Sequence, residues 1–373
     1  MKFYIIAGEA SGDLHGSNLI ASIKTQYPAA QFRVWGGNKM KGQGATLVKH
    51  YKDLAFMGFA EVAKNIKTIL GNIAFCKRDI KEYNPDALIF IDYPGFNLRI
   101  AKWAHHFNTK RHEMKIIYYI SPQIWAWNTK RVYKIKKIVD LMITIIPFEK
   151  KFYADYGMDV IYSGHPLIDV YHKFKADDNF KVSNGLENKP VLLLMPGSRK
   201  QEIKKMLPIM LEASQKLPSY KLAIAALNSI EKSFYKNIIQ NKSVSLIFEN
   251  NYQLLNICDL AWISSGTASL EAAIFNVPHI VCYKGNEISY QIAKRLVKIK
   301  FISLVNLIAN QEVVPELIQD QLTPKNLLLH TENIIKDSQR IKNLYNHQVV
   351  SKLGDGNASH KAAQSILDFL KPY

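Results

Sequence analysis

Short apolar runs recur along this chain, and each leads straight into a turn of small or polar residues. Residues 3–7 lead to Gly8-Glu9-Ala10-Ser11-Gly12-Asp13, and Ala87–Ile91 leads to Asp92-Tyr93-Pro94-Gly95. Val191–Met195 leads to Pro196-Gly197-Ser198-Arg199, and residues 260–263 to Ser264-Ser265-Gly266-Thr267. A strand that is apolar at every position is buried on both faces, as in a parallel sheet covered by helices. Helical patterns follow the turns, over 17–24, 202–216 and 269–275 among others, so the chain is expected to be α/β with doubly wound parallel sheets. Open sheets of this kind bind ligands at the carboxyl ends of their strands. The turns are therefore where chemistry is expected.

At 373 residues the chain is long for one core, and strand–helix alternation restarts after a stretch rich in Lys, Asp and Asn over 173–190. We expect a first domain over 1–170, a second over 171–345, and a terminal segment over 346–373 whose helix returns to the first. The net charge of +18 suits anionic partners: nucleic acid, anionic lipid or a phosphorylated substrate. Nucleic acid is disfavoured, because the basic residues are dispersed and no nucleic-acid-binding motif accompanies them. Cys76, Cys258 and Cys282 are scattered without a C-x-x-C pair, which argues against a disulfide framework or a cysteine zinc site. The N-terminus enters a strand directly, too short a run for a signal peptide, and no apolar run reaches membrane-spanning length. A cytoplasmic protein, bound at most to a membrane surface, is expected.

In the first half, Glu9, Ser11, Asp13 and His15 cluster after the first strand. Each alone reads as a helix cap or a solvated residue; together they point to a functional edge. The glycines do not form G-x-G-x-x-G, so no nicotinamide or flavin site is indicated. Asp92, at the end of a buried strand, is placed to cap the next turn or to act as a general base. Trp125 and Trp127 offer a large apolar surface, and residues 130–137 a basic amphipathic helix. Residues 56–70 fit a core-facing helix and a helix lying in a membrane interface equally well, with Phe56, Met57, Phe59, Val62 and Ile66 on the apolar side. In the second half, Ser265, Gly266 and Thr267 form a small-residue turn opening a helix, a seat for phosphate. Glu271 lies about one turn further on, within reach of a ribose hydroxyl. Ser198 and Arg199 end another strand, and a guanidinium fork matches diphosphate oxygens.

These segments, together with Tyr119-Ile120-Ser121-Pro122-Gln123-Ile124-Trp125-Ala126-Trp127, Gly164-His165-Pro166-Leu167 and Pro315-Glu316-Leu317-Ile318-Gln319, resemble the lipid-A-disaccharide synthase family of inverting glycosyltransferases. The resemblance implies a GT-B architecture, with two Rossmann-like domains facing across a cleft. It implies transfer of 2,3-diacylglucosamine from its uridine diphosphate ester to the 6-hydroxyl of 2,3-diacylglucosamine 1-phosphate, at the cytosolic face of the inner membrane. No cofactor and no metal are called for. Asp92 is then the leading base, with His15 and Glu9 as its partners or substitutes, and Ser11, Asp13 and Asn97 at the acceptor. Ser198, Arg199, Ser265, Gly266, Thr267 and Glu271 bind the nucleotide, joined by family position by Asn306, Glu316 and Gln319. Tyr93 and the lysine-rich stretch over 173–188 depart from the family pattern. Oligomerisation is left open. The rival readings are another GT-B enzyme on a uridine diphosphate amino sugar, such as an undecaprenyl-linked transferase or a 2-epimerase.

Overall fold

The computed structural model describes residues 1–53, 66–108, 114–297 and 299–371. The chain divides into two compact units, Met1–Asp169 with Gly354–Tyr373, and Val170–Leu353. In the first, strands β1 (Lys2–Ala7), β2 (Gln31–Gly36), β3 (Thr46–His50), β4 (Ala87–Ile91), β5 (Lys115–Tyr119), β6 (Leu141–Thr144) and β7 (Ile161–Tyr162) form one sheet in the order β3-β2-β1-β4-β5-β6-β7. Every pairing is parallel. β1 and β4 lie side by side at the centre, which brings the turns after Ala7 and Ile91 together at one edge. All five residues of β4 are buried, as their uninterrupted apolar character requires.

Helix α1 spans Ala10–Gln26, so it starts well before residue 17. Gly12 and Gly16, expected to belong to a turn, are helical. A Cβ on Gly12 would lie 2.9 Å from the Ala7 Cβ, and one on Gly16 would lie 2.3 Å from the Met40 Cε. These glycines serve close packing rather than bending. The strand β3 has no buried residue, which explains why an apolar pattern does not reveal it. Helix α2 (Asn38–Gly42) precedes it, and α3 (Ile66–Tyr83), α4 (Pro94–Asn108), α5 (Val132–Ile138) and α6 (Pro147–Ala154) follow. One face of the sheet packs a core containing Tyr4, Trp35, Phe90 and Tyr118.

In the second unit, β8 (Val191–Met195), β9 (Lys221–Ala226), β10 (Ser245–Phe248), β11 (Leu260–Ser264), β12 (His279–Tyr283) and β13 (Glu316–Ile318) form a parallel sheet in the order β10-β9-β8-β11-β12-β13. The helices that carry site residues are α7 (Lys200–Ser214), α8 (Asn251–Ile257), α9 (Thr267–Ile274) and α10 (Leu304–Ala309). The stretch rich in Lys, Asp and Asn over 173–190, which reads as a link between the two halves, contributes Phe180 and Leu186 to this unit's core. The terminal helix α11 (Ala358–Leu370) belongs to the first unit, where it packs on α1 and its first amides meet the Asp169 carboxylate.

Candidate active site

In the first unit, Asp92 and Tyr93 have φ of 42° and 49°, two consecutive left-handed non-glycine residues. Such backbone costs on the order of 1–3 kcal/mol per residue and persists only where its surroundings impose it. Here the Tyr118 hydroxyl donates to the Asp92 carbonyl at 2.6 Å, and the Asn97 side-chain amide donates to the same carbonyl at 2.8 Å. The Asp92 amide donates to the Ile120 carbonyl at 3.2 Å. The turn is clamped from beneath, and its carboxylate is held at the strand end. Burial, then the negative charge of Glu9, push the Asp92 carboxyl up from 3.8 to about 6, against a hydrogen bond from the Tyr93 amide.

Glu9 is exposed at the N-cap of α1 and makes no side-chain cap. Tyr93 also feels its charge, and the Tyr93 ring fills the space above Gly8, where a Cβ would come within 2.3 Å of it. Thus Glu9, Asp92 and Tyr93 form one group. His15 lies on α1, and burial lowers its imidazole to about 4. Its buried Nδ1 has no hydrogen-bond partner among the described residues. His165, buried beside it, is lowered to about 3 by burial and by His15. Both rings are neutral near pH 7.

Two expected acceptor residues have internal work instead. Asp13 is 3% exposed, and its oxygens accept from the amides of Gly37 at 2.8 Å, Lys39 at 3.1 Å and Met40 at 3.1 Å. It braces the start of α2. Asn97 is fully buried under the Asp92 turn. Ser11 stays exposed on the first turn of α1. The apolar pattern gave no signal for Glu149, which is buried at the start of α6. It accepts from the Trp125 indole at 3.1 Å and from the Ile146 amide at 3.2 Å. Burial pushes its carboxyl up from 4.5 to about 8.

In the second unit, Gly197 and Gly266 take φ of 125° and 142°, backbone that L side chains rarely adopt. They shape the turns after β8 and β11. Ser198 and Arg199 are exposed on the first turn, and Arg199 reaches Glu202 at 3.2 Å. Gly266 and Thr267 are exposed at the start of α9, whose first amides lack intrahelical acceptors by geometry. Ser265 Oγ donates to the Ile302 carbonyl at 3.1 Å, tying this turn to a neighbouring loop. Glu271 accepts from the Tyr252 hydroxyl at 3.2 Å, and burial pushes its carboxyl up.

The three residues taken by family position turn their polar atoms inward: Glu316 and Asn306 brace that neighbouring loop, and Gln319 is tied to another, at Gly285 and Glu287. Glu316 accepts from the Ile302 amide, the Ser303 amide, the Ser303 hydroxyl and the Asn306 side chain, at 2.7–3.0 Å. Asn306 is fully buried, and its Oδ1 accepts from the amides of Val313 and Val314. Gln319 is 4% exposed; it accepts from the Gly285 amide and donates to Glu287. A run of Asn, Glu and Gln gave no sequence cue that these carboxylate and amide groups close on one another.

Phe56, Met57, Phe59 and Val62 lie outside the described residues, as does the side chain of Ile66, where α3 begins. Among the described residues no helix is long and apolar enough to cross a membrane. Among them, too, no three His, Cys, Asp or Glu side chains gather as a metal site would.

Two parallel α/β units, each with its polar groups at the carboxyl ends of the strands, define the GT-B class. Solved structures agree in fold. A uridine diphosphate N-acetylglucosamine 2-epimerase from Neisseria meningitidis, bound to its sugar nucleotide, gives a TM-score of 0.67 at 14% identity, over 99% of this chain and 100% of that one. The glycotransferase of kitacinnamycin gives a TM-score of 0.66 at 13% identity, over 100% and 99%. Sequence identity this low carries the fold alone. The family model described as lipid-A-disaccharide synthetase matches residues 3–369, and the chain belongs to that family. A lipid-A-disaccharide synthase of Nitrosococcus oceani is 37% identical over 94% of this chain and 92% of its own length. One from Trichlorobacter lovleyi is 34% identical over 99% and 98%.

Proposed function

We propose that this chain transfers a 2,3-diacylglucosaminyl group from its uridine diphosphate ester to 2,3-diacylglucosamine 1-phosphate. The full-length family match carries this reading. The acceptor's 6-oxygen attacks the anomeric carbon and gives up its proton to the Asp92 carboxylate. The bond from that carbon to the β-phosphate oxygen breaks, and uridine diphosphate leaves with the electron pair. Attack opposite the leaving group turns the α-ester into a β-1,6 linkage, an inversion.

Geometry and charge favour Asp92 over His15 as the base. A base works best when its pKa approaches the operating pH. Asp92 stands at about 6 and His15 at about 4, so the carboxylate is the stronger proton acceptor. Glu9 tunes Asp92 through charge. Arg199, with the amides at the start of α9, stabilises charge growing on the leaving diphosphate, without a metal. Glu271 holds the ribose, with Ser198, Ser265 and Thr267 around the phosphates. Asn306 and Glu316 keep the supporting loop in place, and Gln319 holds the segment at Gly285 and Glu287.

The acyl chains keep both substrates in a bilayer, so we place the enzyme at the cytosolic face of the inner membrane. The charge of +18 supports this, since each basic residue near an anionic surface contributes about 1 kcal/mol. The segment over residues 56–70 then acts as a surface anchor. Replacing Phe59, Val62 and Ile66 with serine would weaken liposome flotation; unchanged flotation removes the anchor.

The deciding experiment combines both substrates in excess chelator, with wild type and Asp92→Ala. Disaccharide from wild type and almost none from the folded variant is expected. Disaccharide from both discards the base. None from wild type, with sugar-nucleotide turnover in the absence of acceptor, sends the protein to the epimerases.

A further inference from the structure

A cavity of about 660 Å³ opens in the first unit between α4 and α5. Six cations line it: Arg99 and Lys102 from α4, Lys130 and Arg131 from the turn before α5, and Lys134 and Lys137 from α5. Within each helix the spacing is i, i+3, which sets like charges on one face and is unfavourable without a counter-charge. Among the described residues no carboxylate lines the cavity. None of the six forms an ion pair among the described residues, although other exposed lysines of the chain pair with aspartates. Arg131 lies over the Trp127 ring, 4.3 Å from its centroid, which fixes one guanidinium in place.

The cavity is not only a charged surface. Leu98 and Ile138 form apolar wall between the cations. Pro94 and Gly95, the first turn of the fifteen-residue α4, also line it and add the positive end of a helix dipole. Pro94 follows Asp92 by two residues. The buried Tyr118 hydroxyl, which donates to the Asp92 carbonyl, feels the charges of both Asp92 and Arg131. One wall of the cavity therefore adjoins the strand end that holds the candidate base.

We propose that this cavity is a subsite for a phosphate monoester carried on a lipid, and that it holds the anomeric phosphate of the acceptor. The assignment of source rests on the reaction proposed above; the phosphate chemistry does not. A dianion supplies the charge that six lysine and arginine groups lack, and the apolar wall accommodates the body of the sugar lipid. Held there, the acceptor is oriented by its phosphate while its 6-hydroxyl reaches for Asp92.

The test uses Arg99→Gln with Lys134→Gln, two exposed side chains on different helices, in the full-length protein. The control is Lys216→Gln with Lys232→Gln, which removes the same charge from the second unit. Kinetics are measured in neutral detergent micelles, and binding is measured by flotation with phosphatidylglycerol and with phosphatidylcholine vesicles. The acceptor KM is expected to rise at least tenfold in the cavity variant, with kcat and the donor KM within twofold and the control like wild type. An unchanged acceptor KM with selective loss of phosphatidylglycerol binding overturns the monoester assignment and gives the cavity to the phosphodiester of bilayer lipid instead. Wild-type values in both assays, or equal losses in the control, overturn the subsite. A wild type that makes no disaccharide would overturn the reaction instead, and the flotation arm would still decide the cavity.

Discussion

Replacing Glu9 by glutamine removes a charge that Asp92 feels while leaving a side chain of the same size on an exposed helix cap. The Asp92 carboxyl stands at about 6 against 3.8 for an ordinary aspartate, a rise of about two pH units. That corresponds to about 3 kcal/mol in favour of the neutral form. Burial is the larger cause and Glu9 the smaller. In Glu9→Gln the acid limb of kcat/KM, which reports the base in the free enzyme, should therefore start near 6 in wild type and fall by about one unit or less. Stability provides a second reading. Between roughly pH 4 and 6 the folded carboxyl holds a proton that the unfolded chain has lost, so rising pH costs stability through that window. Asp92→Asn escapes this cost, and asparagine tolerates the left-handed backbone of this turn. The variant should be inactive yet up to about 3 kcal/mol more stable than wild type at pH 7.5, with the gap closing below pH 4. Urea denaturation across pH measures it. An acid limb near 4, or a limb that Glu9→Gln leaves in place, would refute the role of Asp92 and its coupling to Glu9.

Arg199→Ala should lower kcat by about a hundred- to a thousandfold if the guanidinium meets charge that develops on the leaving diphosphate. Its ion pair with Glu202 is exposed, so stability should change by less than about 1 kcal/mol; a normal kcat would discard the role. Glu316→Gln turns an amide NH₂ toward donors, where four hydrogen bonds now end on a carboxylate. A stability loss of about 2–3 kcal/mol is expected in chemical denaturation, and an unchanged midpoint would contradict the bracing role. Glu149, raised to about 8, holds its proton in the fold when the unfolded chain has released it above about 4.5. Wild-type stability should fall with pH across that window by up to about 1.4 kcal/mol per unit. Glu149→Gln should flatten the slope, and equal slopes would show that Glu149 is not the group responsible.

The sheets were legible because their strands are buried on both faces, so apolar runs such as Ala87–Ile91 and Val191–Met195 announce themselves. β3 was not, because an edge strand with no fully buried residue needs no apolar pattern. The turns were legible as places but not as conformations. Gly8-Glu9-Ala10-Ser11-Gly12-Asp13 reads as a turn, yet all but its first two residues are helical. What decides this lies far away in sequence: Gly12 meets Ala7, Gly16 meets Met40, and Asp13 is claimed by amides of the next strand's turn.

The same distinction separates residue type from role at the site. A carboxylate at a strand end is equally suited to binding substrate and to accepting backbone amides, and only its surroundings choose. Asp13 and Glu316 accept three and four internal hydrogen bonds, which leaves them little capacity to receive a proton or a ligand. Asp92 differs because its backbone carbonyl, rather than its carboxylate, takes the hydrogen bonds from Tyr118 and Asn97. The fold thus grips the residue by its main chain and leaves the side chain underserved, and burial raises its proton affinity as a result. That combination of a clamped backbone and a costly carboxylate is what a general base requires, and it becomes visible only when the distant partners are in place.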